Sequence, residues 1–335
     1  MDALDLDTPA LYIDLDAMER NIARMQEQCR GWGVGLRPHV KTHKIPEIAR
    51  MQLDAGAIGI TVAKIGEAEV LPGDDVLIAY PLVKAKVPRL KNVTKQRRVK
   101  VAVDSVEVAR GLQGIETLVE IDVGVRRVGA QSAQQAVEIA KACTDFQGIC
   151  YWPSWLDDEG FRAACAKIDG VLRALSDAGF ESKIVSGGST PGAGKTPLIP
   201  QTTEIRPGTY VFYDSSSLEA GICEEADCAL RVLTTVVSTS VPGQCVVDAG
   251  SKTLSSDQAH ASGTYGHVVD HPWTVRKLNE EHGYVEIRGA ARVGEKVWIV
   301  PAHVCPTVNL HDEIWYGRTG RVDGSWKVAA RGKVR

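Results

Sequence analysis

Arg37-Pro38-His39-Val40-Lys41-Thr42-His43-Lys44 is a basic stretch that lies between a short apolar run and a segment beginning at Pro46. Strand periodicity places His39 and Lys41 on one face and Val40 on the other. Pro46 suits the first position of a helix, so the stretch predicts a strand, a turn and a helix in succession. A lysine at the end of an early strand is a candidate for imine formation, because burial and neighbouring cations would lower its pKa. A solvated basic loop or a phosphate-binding site would leave the same pattern.

The alternation of strand and helix continues from Thr8 to about residue 210. The strands are continuous apolar runs, which is typical of a parallel sheet covered by helices. The predicted strands are Ala10–Asp14, Gly35–Val40, Gly59–Ala63, Val76–Tyr80, Val99–Val103, Thr117–Asp122, Phe146–Trp152, Lys183–Gly187 and Thr203–Pro207. Because no dinucleotide-binding fingerprint follows the first strand, we predict an α/β fold with a closed (β/α)8 barrel of the TIM type.

After about residue 225 the sequence changes to short runs rich in Val, Thr and Ser, separated by tight turns. Such runs are typical of an all-β module. They cover residues 230–241, 244–248, 283–288, 296–300 and 313–316. We therefore predict a barrel domain over residues 1–222 and an all-β domain over residues 223–335. The first strand, Ala10–Asp14, can also join the β domain.

Composition limits the classes of partner. The chain of 335 residues has a net charge of -3 and no dense basic patch, which argues against nucleic acid. The acidic start, Met1-Asp2-Ala3-Leu4-Asp5, predicts no signal peptide, and no apolar run is long enough to span a membrane. The eight scattered cysteines include no CxxC pair, so we expect reduced thiols and a cytoplasmic protein.

Three motifs lie at predicted strand ends, where barrels collect functional residues. Asp122–Gly129 carries two glycines around a pair of arginines, which suits an anion or a phenolate oxygen, or else a surface turn. Ser186–Gly192 offers backbone N–H groups and hydroxyls to a phosphate, or is a flexible loop. In Arg206–Tyr210, Gly208 permits close approach of the backbone to a ligand.

A further motif, His303-Val304-Cys305, lies in the β module. On an extended segment, the imidazole and the thiolate lie on one face and can bind the same ion. A thiolate beside an imidazole favours zinc over magnesium or calcium, although both side chains could instead belong to the core. Glu280-Glu281-His282-Gly283 is either a turn or a group that supports a nearby site.

Together and in this order, these motifs resemble the fold-type III pyridoxal-phosphate enzymes with an alanine racemase-like N-terminal domain. Within them the chain is similar to the metal-dependent branch of D-serine dehydratase, D-threonine aldolase and the 3-hydroxy-D-aspartate enzymes. The resemblance extends from Thr8-Pro9-Ala10 to the H-x-C motif. It rests on Arg37–Lys44, Ser186–Pro191, Glu280–Gly283 and that motif.

The resemblance implies two cofactors, pyridoxal 5′-phosphate and a divalent metal, with zinc ahead of manganese or magnesium. Lys41 matches the lysine that binds the aldehyde of the cofactor, and Arg127 matches the arginine at its phenolic oxygen. His303 and Cys305 match the metal pair. The residues matched to cofactor binding are His39, Lys41, Arg127, Tyr151, Ser186, Gly187, Gly188, Arg206, Gly208 and Thr209.

At two positions the resemblance to the family leaves the role of the residues open. Arg206 corresponds to the arginine that contacts the pyridine nitrogen in alanine racemases, but the metal-dependent branch varies there. Trp152-Pro153-Ser154-Trp155 stands where the family pattern has a glycine-histidine pair, so the substrate pocket is expected to differ.

The implied activity is that of a lyase on D-β-hydroxy amino acids, in a homodimer whose β domain completes the site of the partner. In a dehydratase, Lys41 removes the Cα proton and the β-hydroxyl leaves, which gives a keto acid and ammonia. In an aldolase, a base removes the hydroxyl proton and the Cα–Cβ bond breaks to give glycine and an aldehyde. Cys305 favours dehydration of D-serine, D-threonine or 3-hydroxy-D-aspartate, whereas Pro306–Leu310 looks more like the aldolases.

Other hypotheses fit parts of the pattern. A non-catalytic pyridoxal-phosphate-binding protein would lack both the β module and the H-x-C motif. A racemase would need no metal. A barrel that binds some other phosphate would show no visible absorbance.

Overall fold

The computed structural model describes residues 1–153 and 157–335. The strands are β1 (Ala10–Asp14), β2 (Gly35–Leu36), β3 (Ile60–Val62), β4 (Asp75–Ile78), β5 (Arg98–Val103), β6 (Glu116–Ile121), β7 (Asp145–Tyr151), β8 (Ile184–Gly187), β9 (Glu204–Ile205), β10 (Leu230–Ser238), β11 (Gln244–Val247), β12 (Gly266–Val268), β13 (Trp273–Leu278), β14 (Gly283–Glu286), β15 (Lys296–Pro301), β16 (Glu313–Gly317) and β17 (Gly324–Lys327). The helices are α1 (Leu15–Trp32), α2 (Pro46–Asp54), α3 (Ile65–Ala68), α4 (Val87–Val93), α5 (Val106–Gly111), α6 (Ala133–Ala142), α7 (Asp158–Asp177), α8 (Ser215–Glu219), α9 (Ser251–Leu254) and α10 (Val304–Asn309).

The described chain folds into two compact units. The barrel unit comprises Met25–Lys41, Pro46–Gly208 and Lys333–Arg335. The β unit comprises Met1–Arg24, Thr42–Ile45 and Thr209–Gly332.

The barrel unit is an eight-stranded parallel sheet in the order β2-β9-β8-β7-β6-β5-β4-β3. A parallel bridge between His39 and Thr61 joins its first and last strands, which closes the sheet. The strands are buried almost throughout, as the continuous apolar runs predict. The predicted (β/α)8 barrel of the TIM type is therefore confirmed.

An apolar layer fills part of the barrel interior. Leu77 of β4, Ala102 of β5, Leu118 of β6 and Cys150 of β7 are all buried and pack together, with Ile184 of β8 against them. Because strand side chains alternate in direction, Lys100 and Glu120 share the faces of Ala102 and Leu118. Both charged side chains are buried, at 1% and 6% exposure, so the barrel interior contains charges as well as apolar groups.

The β unit contains an antiparallel barrel of six strands. The strands run β11-β14-β13-β12-β15-β10, and pairing of β10 with β11 closes the ring. The predicted runs correspond to β10, β11, β14, β15 and β16. Three strands, β12, β13 and β17, were not predicted.

The strand β10 is longer than the other described strands, and its two halves pair with different strands. Its second half pairs with β11, whereas its first half pairs with β1 through Ala10 to Ile13. β1 in turn pairs in parallel with β16, and β16 pairs with β17. The first strand of the chain is thus hydrogen-bonded in the β unit.

Among the described residues, no helix combines the length and the apolar character needed to cross a membrane.

Candidate cofactor and metal sites

The extended backbone that leads to Lys41 continues beyond the regular part of β2. The His39 N–H donates to the Pro207 carbonyl and the Val40 N–H to the Thr61 carbonyl, both at 2.9 Å. Val40 is fully buried, as its position on the opposite face predicts. Lys41 is exposed in the turn that follows, so the burial expected for it is not found. Lys41 is exposed because the backbone hydrogen bonds to the two neighbouring strands end at Val40, one residue before it.

His39 is the centre of a group of cations in the barrel unit. Its Nδ1 atom is buried and has no hydrogen-bond partner among the described residues. Burial lowers the pKa of His39 well below its usual value, and the charges of Lys41, Arg206 and Arg127 lower it further. The imidazole is therefore neutral near pH 7, with Lys41, Arg206 and Arg127 around it.

The turn that presents Arg127 is organised by Asp122. Its carboxylate Oδ1 accepts hydrogen bonds from the N–H groups of Gly124 and Arg126, each at 3.0 Å. The Arg127 guanidinium carbon lies 4.5 Å from the ring centroid of Trp152, a cation–π contact. Trp152 thus contacts Arg127 directly.

Of the Trp152–Trp155 segment, which was expected to alter the substrate pocket, Ser154 and Trp155 lie outside the described residues.

Tyr151 and Gly187 form a tight pair at the ends of β7 and β8. The Tyr151 hydroxyl lies 2.6 Å from Thr202 Oγ1, and burial raises its pKa to about 12. A Cβ atom on Gly187 would lie 2.1 Å from Cζ of the Tyr151 ring. Only glycine at this position leaves room for the tyrosine ring.

We expect Gly187→Ala to lower the free energy of unfolding by about 1–3 kcal/mol, since the tyrosine or the backbone must move to admit the methyl group. Denaturant melts of the two proteins measure the change. Gly170→Ala is the matched control, because a Cβ atom there meets nothing within 4 Å. An unchanged midpoint for Gly187→Ala would contradict the packing described.

Ser186 and Arg206 are joined by direct hydrogen bonds. Arg206 Nη1 donates to the backbone oxygen and to Oγ of Ser186, each at 2.6 Å. Arg206 Nη2 donates to the Tyr151 carbonyl at 3.0 Å. The Ser186 hydroxyl is fully buried and donates to Glu204 Oε1 at 2.7 Å. Three predicted site residues are thus linked in one network.

The glycines of the predicted phosphate-binding segments differ in backbone conformation and in burial. Gly188 has a φ of +80°, and a Cβ atom there would lie 2.8 Å from Cβ of Ile205. Gly208 is half-buried and ends the main segment of the barrel unit, whereas Thr209 begins a 3₁₀ helix in the β unit. Of the predicted cofactor residues, all but Thr209 therefore belong to the barrel unit.

These residues fit an anionic cofactor. A buried imidazole nitrogen without a partner and three neighbouring cations suit a molecule that carries a phosphate and a phenolate oxygen. Pyridoxal 5′-phosphate has both groups, and the exposed Lys41 is accessible to its aldehyde.

The metal pair has a different local structure from the one predicted. His303 is extended and immediately precedes α10, whereas Cys305 lies in the first turn of that helix. The prediction of an extended H-x-C segment was therefore wrong for Cys305, because Val304 already begins the helix. The two side chains still meet. Burial disfavours the charged imidazole, but hydrogen bonds to Cys305 and Asp257 outweigh it and raise the pKa of His303 to about 9.

Asp257 is a site residue that the sequence did not reveal. Its Oδ2 lies 2.7 Å from Nδ1 of His303. When the imidazole gives up a proton to bind a metal, the carboxylate keeps the remaining proton on Nδ1 and leaves the other nitrogen for the metal. Among the described residues, no group of three or more His, Cys, Asp or Glu side chains is arranged to hold an ion. The imidazole and the thiol are donors that suit zinc, with Asp257 supporting the imidazole.

We expect Asp257→Asn to weaken zinc binding by about 10- to 100-fold, the usual effect of losing a carboxylate that supports a histidine ligand. Zinc titration with a competing chelator measures it. Asp312→Asn is the control, because Asp312 forms an exposed ion pair with Arg331 at 2.8 Å. Equal zinc affinity in both variants would refute the role of Asp257.

Glu280, Glu281 and His282 form the turn between β13 and β14, and Gly283 is the first residue of β14. Lys252 forms ion pairs with Glu280 at 2.8 Å and with Glu281 at 2.9 Å, and all three side chains are exposed. Of the two interpretations of this segment, the turn is the one observed.

Comparison with known proteins identifies the family. A family model described as "Alanine racemase, N-terminal domain" matches residues 13–216, and one described as "Putative serine dehydratase domain" matches residues 229–316. The chain belongs to the D-serine dehydratase and D-threonine aldolase family, with an alanine racemase-like N-terminal domain. Pyridoxal phosphate is the cofactor of this family, which agrees with the resemblance found in the sequence.

The family comparison extends to individual relatives over nearly their whole length. The chain is 35% identical to the D-threo-3-hydroxyaspartate dehydratase of Delftia sp., over 91% of this chain and 92% of the relative. It is 34% identical to the 3-hydroxy-D-aspartate aldolase of Paracoccus denitrificans, over 99% of this chain and 94% of the relative. Family members of similar identity thus carry the names of two different reactions.

A solved structure gives the third comparison. It is a cysteine-to-alanine mutant of D-threo-3-hydroxyaspartate dehydratase in the metal-free form. It matches with a TM-score of 0.89 and 32% identity, over 98% of each chain.

Proposed function

We propose that this protein is a pyridoxal-phosphate- and divalent-metal-dependent lyase that dehydrates D-β-hydroxy amino acids such as D-serine, D-threonine or 3-hydroxy-D-aspartate. The observation that carries the choice of reaction is the His303–Cys305 pair with Asp257 at the imidazole. A thiolate–imidazole pair favours zinc, and zinc is a Lewis acid suited to a hydroxyl leaving group.

We assign the cofactor residues as follows. Lys41 binds the aldehyde of the cofactor, and Arg127 binds its phenolic oxygen. Tyr151 lies near the ring, and His39 is a further cofactor-binding residue. The segments that contain Ser186, Gly187, Gly188, Gly208 and Thr209 hold the phosphate. When bound, pyridoxal phosphate accepts the electron pair left at Cα, and the divalent metal draws electron density from the β-hydroxyl.

The residues of the chain supply the proton transfers and the charges. With its amine free, Lys41 would remove the Cα proton of the substrate. The neutral imidazole of His39 adds no positive charge to the group of cations around it. Arg127 stabilises negative charge on an oxygen, and its contact with Trp152 limits its movement. The β-hydroxyl would then leave as water, with the uptake of one proton to balance the one that Lys41 removed, and hydrolysis of the enamine product would give a keto acid and ammonia.

The aldolase reaction is the second candidate. It is favoured by the 34% identity to an enzyme named as an aldolase, which covers 99% of this chain. In that reaction the β-hydroxyl loses its proton and the Cα–Cβ bond breaks, so the same substrates yield glycine and an aldehyde or keto acid.

The remaining proposals concern the oligomeric state, the domain boundary and the cellular location of the enzyme. We infer a homodimer from the resemblance, a division of the sequence into domains at about residue 222, and a cytoplasmic location from the reduced cysteines.

Product analysis tests the function. The holoenzyme is incubated with D-serine, D-threonine and D-threo-3-hydroxyaspartate, with zinc and then with manganese, and the products are identified by mass. Pyruvate, 2-oxobutyrate or oxaloacetate with ammonia supports the dehydratase, whereas glycine supports the aldolase. L-Threonine and the Lys41→Ala variant are the controls. No product from any D-substrate with either metal would refute the proposal.

A further inference from the structure

The turn Thr42–Ile45 directly follows Lys41 and belongs to the β unit, whereas Lys41 ends a segment of the barrel unit. Thr42, His43 and Ile45 are fully buried, although Lys41 itself is exposed. A hydrogen bond from the Ile45 N–H to His43 Nδ1, at 3.1 Å, closes the turn. The lysine assigned to the cofactor is thus joined by one peptide bond to a buried turn of the β unit.

Two side chains of this turn contact α10, the helix that carries Cys305. The Cys305 thiol donates to Thr42 Oγ1 at 3.3 Å, and Lys44 Nζ donates to Asn309 Oδ1 at 2.7 Å. Cys305 and Asn309 are four residues apart, so they lie on the same face of α10. The turn therefore contacts one face of the helix at two points, and one of these is the sulfur assigned to the metal.

The turn and α10 each have further contacts in the β unit. The Ala330 N–H donates to the Lys44 carbonyl at 3.1 Å. In α10, Thr307 is fully buried, and its hydroxyl donates to the Leu254 carbonyl at 3.0 Å. The two segments are thus held in place by contacts other than those between them.

The hydrogen bond between Thr42 and Cys305 would become stronger when zinc binds. Cysteine binds zinc as the thiolate, which accepts hydrogen bonds but has no proton to donate. The Thr42 hydroxyl would therefore donate to the sulfur, and a hydrogen bond to a charged acceptor is stronger than one between neutral groups. Bound zinc would thus hold Thr42, and with it the backbone next to Lys41, more firmly.

We propose that Thr42 is a positioning residue that couples the metal site to Lys41, so that zinc and pyridoxal phosphate each strengthen the binding of the other. This inference rests on the proposed function, because it concerns the same two groups. Coupling between two ligands is reciprocal, so zinc tightens cofactor binding by the same factor by which the cofactor tightens zinc binding. We call this ratio of affinities the coupling factor.

Binding measurements with each group alone and with both together test the proposal. The full-length protein, freed of metal and cofactor, is titrated with pyridoxal phosphate in the presence and absence of zinc, and the visible absorbance reports the bound cofactor. Zinc is titrated against a competing chelator, with and without the cofactor. In the wild type we expect a coupling factor of about 5 or more from both titrations.

Thr42→Val removes the hydroxyl and keeps the branched shape of the side chain, so we expect its coupling factor to fall below about 2. Thr42→Ser retains the hydroxyl and should keep the wild-type factor. Thr117→Val is the matched control. It removes another buried hydroxyl, which donates to the Asp145 carbonyl at 3.1 Å, and should leave the coupling factor unchanged.

Asn309→Ala tests the second contact of the turn. It removes the acceptor of Lys44 Nζ but retains Thr42 and the metal pair, so it remains a valid test even if Thr42→Val fails to fold. We expect its coupling factor to fall below that of the wild type. An unchanged factor would contradict the proposal, because release of the turn from α10 would then have no effect on the coupling.

The coupling factor separates this role from a merely structural one. If Thr42 only packed the turn, Thr42→Val would weaken cofactor binding equally with and without zinc, and its unchanged coupling factor would overturn the proposal. A wild-type protein that binds both groups without coupling would overturn it as well. A wild-type protein that binds no cofactor or no zinc would instead refute the proposed function, and this inference with it.

Discussion

Lys41→Ala should abolish covalent attachment of the cofactor and lower kcat/KM by about 10³-fold or more. Lys41 is the only residue to which we assign both imine formation and proton removal at Cα, and a positioned acid or base alone contributes about 10²- to 10⁴-fold. The measurement is borohydride reduction of the loaded protein, followed by mass analysis of the peptide that contains Lys41. Activity toward D-threonine is measured on the same samples.

Lys41→Arg is the matched control for charge. It retains the cation in the exposed turn but cannot form the imine, so it should lose the attachment as fully as the alanine variant. A pyridoxyl group still attached after reduction of either variant, on any other lysine, would show that Lys41 is not the attachment site.

Cys305→Ala should remove the metal and the activity together. A direct ligand contributes more than a residue that supports one, so we expect zinc to bind at least about 100-fold more weakly. Zinc content after dialysis and lyase activity against added zinc are the two measurements.

Cys165→Ala provides the matched control, because Cys165 is another half-buried thiol and lies in the barrel unit, on α7. It should retain both metal and activity. If Cys305→Ala bound zinc as the wild type does, or turned over substrate without metal, the Lewis-acid role assigned to this pair would be refuted.

The sequence predicted the barrel well because its strands are apolar on both faces and are separated by helical segments of regular length. Each of the eight parallel strands falls within or beside a predicted run. The motifs at strand ends were found for the same reason, since parallel strands present their C-terminal ends at one edge of the sheet. The H-x-C motif was found by spacing alone, but its helical start at Val304 could not be read from that spacing.

The sequence did not reveal residues whose contact partners lie far away along the chain. Asp257 meets His303 across two separate segments of the β unit, and no local pattern marks such a meeting. The buried charges of the barrel did leave a signal. Lys100 and Glu120 each interrupt an apolar strand, and a charge at such a position indicates a paired or functional group in the interior.

The pairing of β1 with β10 and β16 has a consequence for biosynthesis. Residues Ala10–Asp14 are synthesised before the barrel strands, but their hydrogen-bond partners are made only after the whole barrel sequence. The first strand must therefore remain without its partners while the barrel strands are being synthesised, and pairing over so long a separation is slow. Removing β1 would leave one edge of β10 open to pairing with another chain.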